Sequence, residues 1–329
     1  MRPPLSLRLI TQRVLFSLAI GLSVNLPAQA ATYPPVSVEV KAIQLTPHSY
    51  YVPGLAGAAS TENEGFMSNA GFVVTPAGVV VIDTLGSPSL ATAMLAQIRK
   101  VTDKPVVRVI VTHYHADHYY GIQVFKDAGA EIWAHRGAQG VIGSDGARQR
   151  FAQRKEILAY WINDTTQRFV QPDRWLDGPV DFELGGVRFK VRSVGPAHSD
   201  EDLVTFVEND GALFVGDLVF QGRVPFVGDA DSGRWLAVMD TLLALKPTVL
   251  IPGHGPASKH PMNDLIFTRD YLRYLRTEMK KAVADMAPFD AAYAQTDWST
   301  YQKMPAFDLA NRRNAYGTYL LMEKESLGQ

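Results

Sequence analysis

A β-branched run, Val106-Val-Arg-Val-Ile-Val111, leads through Thr112 straight into His113-Tyr-His-Ala-Asp-His118. Three of the chain's eight histidines and an aspartate therefore fall within six consecutive residues. The run is apolar with little alternation, so it reads as a buried strand. The polar segment then sits on the loop where the strand ends, the edge on which α/β folds assemble chemistry. Crowded imidazoles beyond a buried strand have no packing role. Imidazole and carboxylate are instead ligands for zinc and similar first-row metals. Downstream stand His198, Asp217 and His254, making seven candidates with His113, His115, Asp117 and His118. One catalytic metal needs only three protein ligands, so seven suggest two metals side by side.

The rest of the chain alternates strand-like and helix-like segments. Residues 37 to 52 read as an opening strand or hairpin. Strands at 71–75 and 79–82 flank Pro76-Ala-Gly78, a tight hairpin signal. Ser89 to Lys100 has apolar residues at 90, 94, 95 and 98, the spacing of a helix face, and closes on Arg99 and Lys100. A helix is expected from about Gly121. Further strands are expected near 187–194, 203–208 and 212–216, the last ending in Asp217. A helix at 234–245 and a strand at 248–251 before Pro252-Gly-His254 follow. Pro53 to Gly65 is rich in glycine and alanine and reads as a flexible loop. Leu265 to Met286 is helix-like, and residues 259–329 carry no ligand set, so they read as a helical extension. His48, His135 and His260 are lone histidines with structural roles.

Five landmarks in this order resemble the metallo-β-lactamase superfamily, from about Val38 to Ala257. Asp83 ends Gly78-Val-Val-Val-Ile-Asp83, the H-x-H-x-D-H loop follows, His198 lies in GPAHSDEDL, Asp217 in LFVGDLVF and His254 in IPGHGP. The resemblance implies an α/β fold, a four-layer αβ/βα sandwich over residues 31–258 with the C-terminal helical extension outside it. It also implies a ligand set. His113, His115 and His198 take one metal, Asp117, His118 and His254 the second, and Asp217 bridges both. Asp83 then hydrogen-bonds a ligand without touching metal itself, since metal-bound imidazoles need such an orienting partner, and the 53–65 loop becomes a flap over the site.

The bridging aspartate narrows the branch. The lactamase branches place cysteine or a non-ligand there, whereas Asp217 is similar to glyoxalase II-like thioester hydrolases. In general look the chain is similar to SoxH-like periplasmic zinc hydrolases of the quinoprotein-relay type. The implied chemistry is hydrolysis by a metal-bridging hydroxide with two Zn2+ per chain and no protein nucleophile, Asp117 taking up the proton left after attack. The substrate is a small molecule, a thioester, ester or lactone in preference to a β-lactam. Tyr114, Arg223 and Phe66 are candidates to bind it, with Tyr119, Tyr120 and Phe226 lining the mouth and Arg223 holding a carboxylate. Two other readings remain open: a mononuclear iron (Fe) sulfur dioxygenase of the same fold, and a non-catalytic periplasmic binding protein that retains metal. Metal content separates the first from hydrolysis, and a turnover assay separates the second.

Charge and the amino terminus bound the partners. Arg2, Arg8 and Arg13 precede the apolar Val14–Leu22, and Pro27-Ala-Gln-Ala30 offers a small-residue cleavage site, the pattern of a secretory signal peptide over residues 1–30. Cleavage there removes three arginines and no acid, taking the net charge from −1 to −4 with 29 basic and 33 acidic residues. Such a chain has no basic field to attract nucleic acid, and after cleavage no membrane anchor. Cysteine is absent, so no disulfide forms and no thiolate reaches a metal. The expected location is periplasmic or secreted. Amino-terminal sequencing of protein from a periplasmic fraction should begin at Ala31; full-length chain recovered from the cytosol with Met1 intact would refute the export reading.

Overall fold

The computed structural model describes residues 32–228 and 230–328, so the leader expected over residues 1–30 lies outside the described residues. A first sheet has seven strands in chain order: β1 (Ile43–Gln44), β2 (Ser49–Val52), β3 (Ala70–Thr75), β4 (Gly78–Ile82), β5 (Val106–Ile110), β6 (Glu131–His135) and β7 (Arg174–Leu176). β1 to β4 pair antiparallel and β4 to β7 parallel. A second sheet has five, β8 (Val180–Leu184), β9 (Val187–Ser193), β10 (Leu203–Val207), β11 (Ala212–Phe220) and β12 (Val249–His254), in the order β12-β11-β10-β9-β8. α1 (Pro88–Val101) and the short α2 (Ala116–Tyr119) and α3 (Ile122–Asp127) belong to the first half. α4 (Asp145–Leu158) is inserted between β6 and β7. α5 (Ser232–Ala244), α6 (Pro261–Ala284), α7 (Phe289–Gln295) and α8 (Phe307–Ser326) complete the chain.

The pleat explains why β4 is buried on both sides. Side chains alternate across a strand, so Val80 and Ile82 face one way and Val79 and Val81 the other. The first pair joins Ile110 and Trp133 in meeting Phe189, Val191, Phe214 and Ile251 of the second sheet. The second pair packs under Leu90, Met94 and Ile98 of α1 and Phe125 of α3. On the far side, Leu213, Val215 and Val219 of β11 pack against Trp235, Met239, Leu265, Leu272, Leu275 and Met322 from α5, α6 and α8. Helix, sheet, sheet and helix make the four expected layers.

Local signals account for most boundaries. The Ser87 hydroxyl accepts from Leu90 N at the start of α1, and Arg99 and Lys100 lie in its last turn. The helix expected from Gly121 is α3, whose N-cap Gly121 packs so close to Thr84 O that no side chain fits, and the short α2 within the 113–118 segment precedes it. β11 runs past its expected end at 216, to Phe220. A register shift at Gly216, where φ is 52°, bends the strand and re-aims Asp217. α4 and its surrounding connection carry few apolar residues at helical spacing and were not anticipated.

Beyond the shared core, a buried amide helps to fasten the extension to the body. Asn314 of α8 accepts from Val227 N at 2.9 Å and Gly228 N at 3.1 Å, and donates to Pro225 O at 2.6 Å and Tyr271 Oη at 2.9 Å. The loop after β11 is thereby pinned to the helices. Asn314→Ala would leave several buried polar groups without partners and should cost about 3 kcal/mol of unfolding free energy. Urea denaturation should show it, and a loss below about 1 kcal/mol would contradict the pinning role.

Candidate metal centre

The candidate ligands sit at strand ends, at a bend within a strand and on an adjoining loop. β5 delivers the 113–118 loop, the bend at Gly216 presents Asp217, and β12 ends on His254. His198 lies on the loop between β9 and β10. The structure gathers these side chains into two sets, His113, His115, His198 and Asp217 in one and Asp117, His118 and His254 in the other. Within each set the ligand atoms lie within 4.8 Å of one another. His113 Nε2 and His198 Nε2 point at His115 Nδ1 from 3.0 and 3.1 Å. Asp217 stands between the sets: its Oδ2 is 3.4 Å from His198 Nε2 and 3.3 Å from His254 Nε2, and its Oδ1 is 3.1 Å from His118 Nε2. Asp117 Oδ2 lies 3.4 Å from His254 Nε2 and 3.6 Å from His118 Nε2.

These residues fit divalent cations. His118 Nε2 and Asp217 Oδ1 face each other at 3.1 Å, buried and out of line for a hydrogen bond, with no other partner, and a poorly satisfied buried polar atom is costly. Three imidazole nitrogens converge with too few protons to satisfy one another, an arrangement that a shared cation resolves. The donors are nitrogen and oxygen only, a set suited to zinc or iron.

The far sides of the ligands are fixed by the fold. Asp83 Oδ2 lies 2.8 Å from His118 Nδ1, while its carboxylate also accepts from Thr112 N at 2.7 Å and Thr112 Oγ1 at 2.8 Å. It does so with φ at 60°, a left-handed conformation that aspartate tolerates better than most residues. His254 Nδ1 donates to Met67 O at 2.7 Å, and His198 Nδ1 to Phe226 O at 3.2 Å. Fixing one ring nitrogen leaves the other for the metal. Ser68 Oγ donates to Asp117 O, and Thr84 N and Oγ1 both donate to His118 O. Phe220 stacks on His254 with ring centres 5.2 Å apart.

The electrostatics divide the histidines. Burial pushes His113 well below the usual imidazole range, with His118 adding to the effect, and pushes His115 down to about 3 with help from His198. Burial acts the same way on His118 and His254, but Asp217 beside both overrides it and His254 is lifted to about 9. Burial would raise Asp117 and Asp217, yet neighbouring imidazoles hold both well below the usual carboxylate range.

Other expected site residues fare differently. Phe66 is 1% exposed and packs in the core beneath the first sheet, so it does not face substrate. Tyr119 and Tyr120 are likewise buried, and only Tyr114, half-buried, remains of the aromatic mouth on that loop. Arg223 packs its guanidinium against Phe226 and Phe220, feels Asp217, and keeps Nε buried without a partner. The 53–65 loop exposes Leu55 but is tied at its end, where Ser37 N donates to Glu64 at 2.9 Å. His48 pairs with Asp210 and His135 accepts from Gly137 N, outside the ligand sets. Sequence reasoning missed Glu201, which accepts from Tyr114 N at 3.3 Å and is pushed up to about 8 by burial and then by Asp202. It also missed Arg154, 3.7 Å from Asp117 Oδ1. Neither has a local signal, because both reach the loop from distant segments.

Comparison with known proteins agrees with this geometry. The pattern of the metallo-beta-lactamase superfamily matches residues 63–254, and the chain belongs to that superfamily. It is 22% identical over 240 residues to a linear primary-alkylsulfatase of Pseudomonas sp., covering 63% of this chain and 45% of the relative. It is 24% identical over 194 residues to metallo-beta-lactamase type 2 of Elizabethkingia meningoseptica, covering 57% of this chain and 69% of that one. The chain therefore spans less than half the length of the alkylsulfatase it matches. In fold it is similar to the stereoselective inverting sec-alkylsulfatase of Pseudomonas sp., with a TM-score of 0.65 at 18% identity, over 86% of this chain and 50% of that one. The two named relatives are an alkylsulfatase and a β-lactamase, both hydrolytic enzymes by name.

Metal uptake should carry a defined pH dependence. In the metal-free protein His254 stays protonated until the pH passes about 9, and that proton competes with a cation. Affinity for zinc should therefore rise as pH climbs toward that value and level off above it, with proton release on binding at neutral pH. Competition against a chromophoric chelator across this range checks it, and a pH-independent affinity would contradict the assignment of His254 as a ligand.

Proposed function

We propose that the chain is an exported binuclear zinc metallohydrolase that cleaves a small carbonyl substrate, favouring thioesters, activated esters or lactones over β-lactams. The observation supporting it most directly is Asp217, whose two oxygens face both ligand sets, the position a bridging carboxylate takes. Two divalent ions held there would lower the pKa of a bound water toward neutrality and polarise the carbonyl under attack. The chain's own residues set the stage. Asp83, Met67 O and Phe226 O hold three imidazoles in one orientation, so little reorganisation accompanies reaction. Asp117 presents Oδ2 to His118 and His254 and Oδ1 toward Arg154, and its neighbours keep it ionised. An ionised, strongly stabilised carboxylate is a good ligand and a weak base, so we assign Asp117 to holding metal ahead of accepting a proton. Arg223, with a buried unpartnered Nε, is assigned to a substrate carboxylate.

The sharing of Asp217 between two sets favours this reading over the mononuclear iron dioxygenase, and elemental analysis separates them. About two zinc ions per chain are expected; one iron with oxygen consumption would overturn the assignment. Asp217→Ala should lose metal and lower turnover by at least about tenfold. A panel of thioesters, lactones, phosphoesters and β-lactams, widened to sulfate esters by the likeness to an alkylsulfatase, tests the class. β-Lactam turnover far above thioester turnover would reverse it, and no turnover of any member by zinc-loaded protein would favour a binding protein. Arg223→Ala should raise KM for a carboxylated substrate well beyond its effect on the neutral analogue.

A further inference from the structure

Helix α4 presents an unusual inner face. It fully buries only Ala147 and Leu158, and Leu158 fills the space that a side chain at Gly65 would take. Between those contacts stand Arg150 and Arg154, one helical turn apart and so on one face. The Arg150 guanidinium lies 4.8 Å from the centre of the Tyr114 ring. Arg154 Nη2 is 3.7 Å from Asp117 Oδ1, and its Nη1 is 3.7 Å from Met67 Sδ. Both charges therefore overhang the loop that carries the ligands. Two cations side by side, partly removed from water, are unfavourable without a counter-charge.

Several arginines elsewhere on the molecule have found one. Arg168 holds Asp127 at 2.7 Å, Arg276 holds Glu325 at 2.9 Å and Arg312 holds Asp290 at 2.6 Å, and Arg148 on α4 itself pairs with Asp145. Neither Arg150 nor Arg154 has a carboxylate within hydrogen-bonding distance, the Asp117 contact being longer than a hydrogen bond. Arg154 helps to keep Asp117 ionised from 3.7 Å, but the fork of neither guanidinium is engaged by a pair of oxygens, and the residues that α4 buries are apolar. Guanidinium forks match the paired oxygens of a carboxylate, sulfate or phosphate. The chain as a whole is slightly acidic, net −1, so attraction for an anion has to be built locally.

We propose that Arg150 and Arg154 of α4 form an anion-recognition site, binding the carboxylate, sulfate or phosphate group of the substrate that is hydrolysed at the adjacent metal centre. This rests on the hydrolase reading above and adds a substrate class to it: a molecule with one anionic group close to the bond that breaks. The two arginines come from a different element than Arg223, so their contribution is separable by mutation.

The test uses zinc-loaded protein and three probes, benzoate, phenyl sulfate and phenyl phosphate, with affinities from titration calorimetry. At least one should bind the unaltered chain, and the tightest identifies the anion. The Arg150→Gln, Arg154→Gln double variant should bind it about tenfold or more weakly, with zinc content and circular dichroism unchanged. If Arg154→Gln lowers zinc content through Asp117, Arg150→Gln alone carries the test, because it touches Tyr114 and no ligand; a loss of roughly threefold or more is then expected. Equal anion affinity in variant and unaltered chains, or no binding of any probe, overturns the proposal. Arginine-dependent anion binding without turnover of any panel substrate would sink the hydrolase reading and leave the anion site standing. Turnover with arginine-independent anion affinity would do the reverse.

Discussion

Two carboxylates and five imidazoles are withdrawn from water at one edge of this sandwich, and their mutual charge balance conditions everything near them. Asp217 lies close to His118, His198 and His254 at once. Burial alone would protonate the carboxylates and strip the imidazoles of charge, and the pairing between them reverses that for Asp117, Asp217, His118 and His254. Protein groups alone do not complete the balance, since His118 Nε2 and Asp217 Oδ1, 3.1 Å apart, have no well-aligned hydrogen bond. Such a cluster persists only in a framework stiff enough to hold it. The stiffness comes from Asp83, which ties Thr112 and His118 together at the ends of two adjacent parallel strands.

Much of this was legible in the sequence, for specific reasons. β4 reads as a strand because β-branched residues buried on both faces leave a continuous apolar run, and β5 does so with Arg108 as its one interruption. The candidate ligands were legible because clustered imidazoles and carboxylates after such strands have no packing role. Asp217 shows where that logic stops: its residue type was recognised, but the strand continues to Phe220 and a bend at Gly216 does the aiming. Phe66 shows the opposite error. Its place beside a flexible loop suggested exposure, whereas the core under the first sheet claims it. Arg154 and Glu201 were invisible, because a residue that reaches a site across tens of positions leaves no local pattern.

The C-terminal helices take part in the site at one remove. α5, α6 and α8 share a core with β11, and Asn314 fastens the loop that runs from Arg223 to Gly228. His198 Nδ1 hydrogen-bonds to Phe226 O on that same loop, so a ligand's orientation traces back to an amide on the last helix. What composition suggested to be a passive extension is part of the scaffold for the ligand loops.

α4 stands apart from that scaffold. It enters as an insertion between β6 and β7, buries two residues fully and contributes no metal ligand. Segments with so little buried surface tolerate replacement, because few native contacts constrain their sequence. Natural variants or libraries that rewrite the exposed positions of residues 145–158, keeping Ala147, Arg154 and Leu158, can therefore change the surface beside the site with little effect on the groups beneath. Selectivity and reactivity sit on parts of the chain that are free to diverge at different rates.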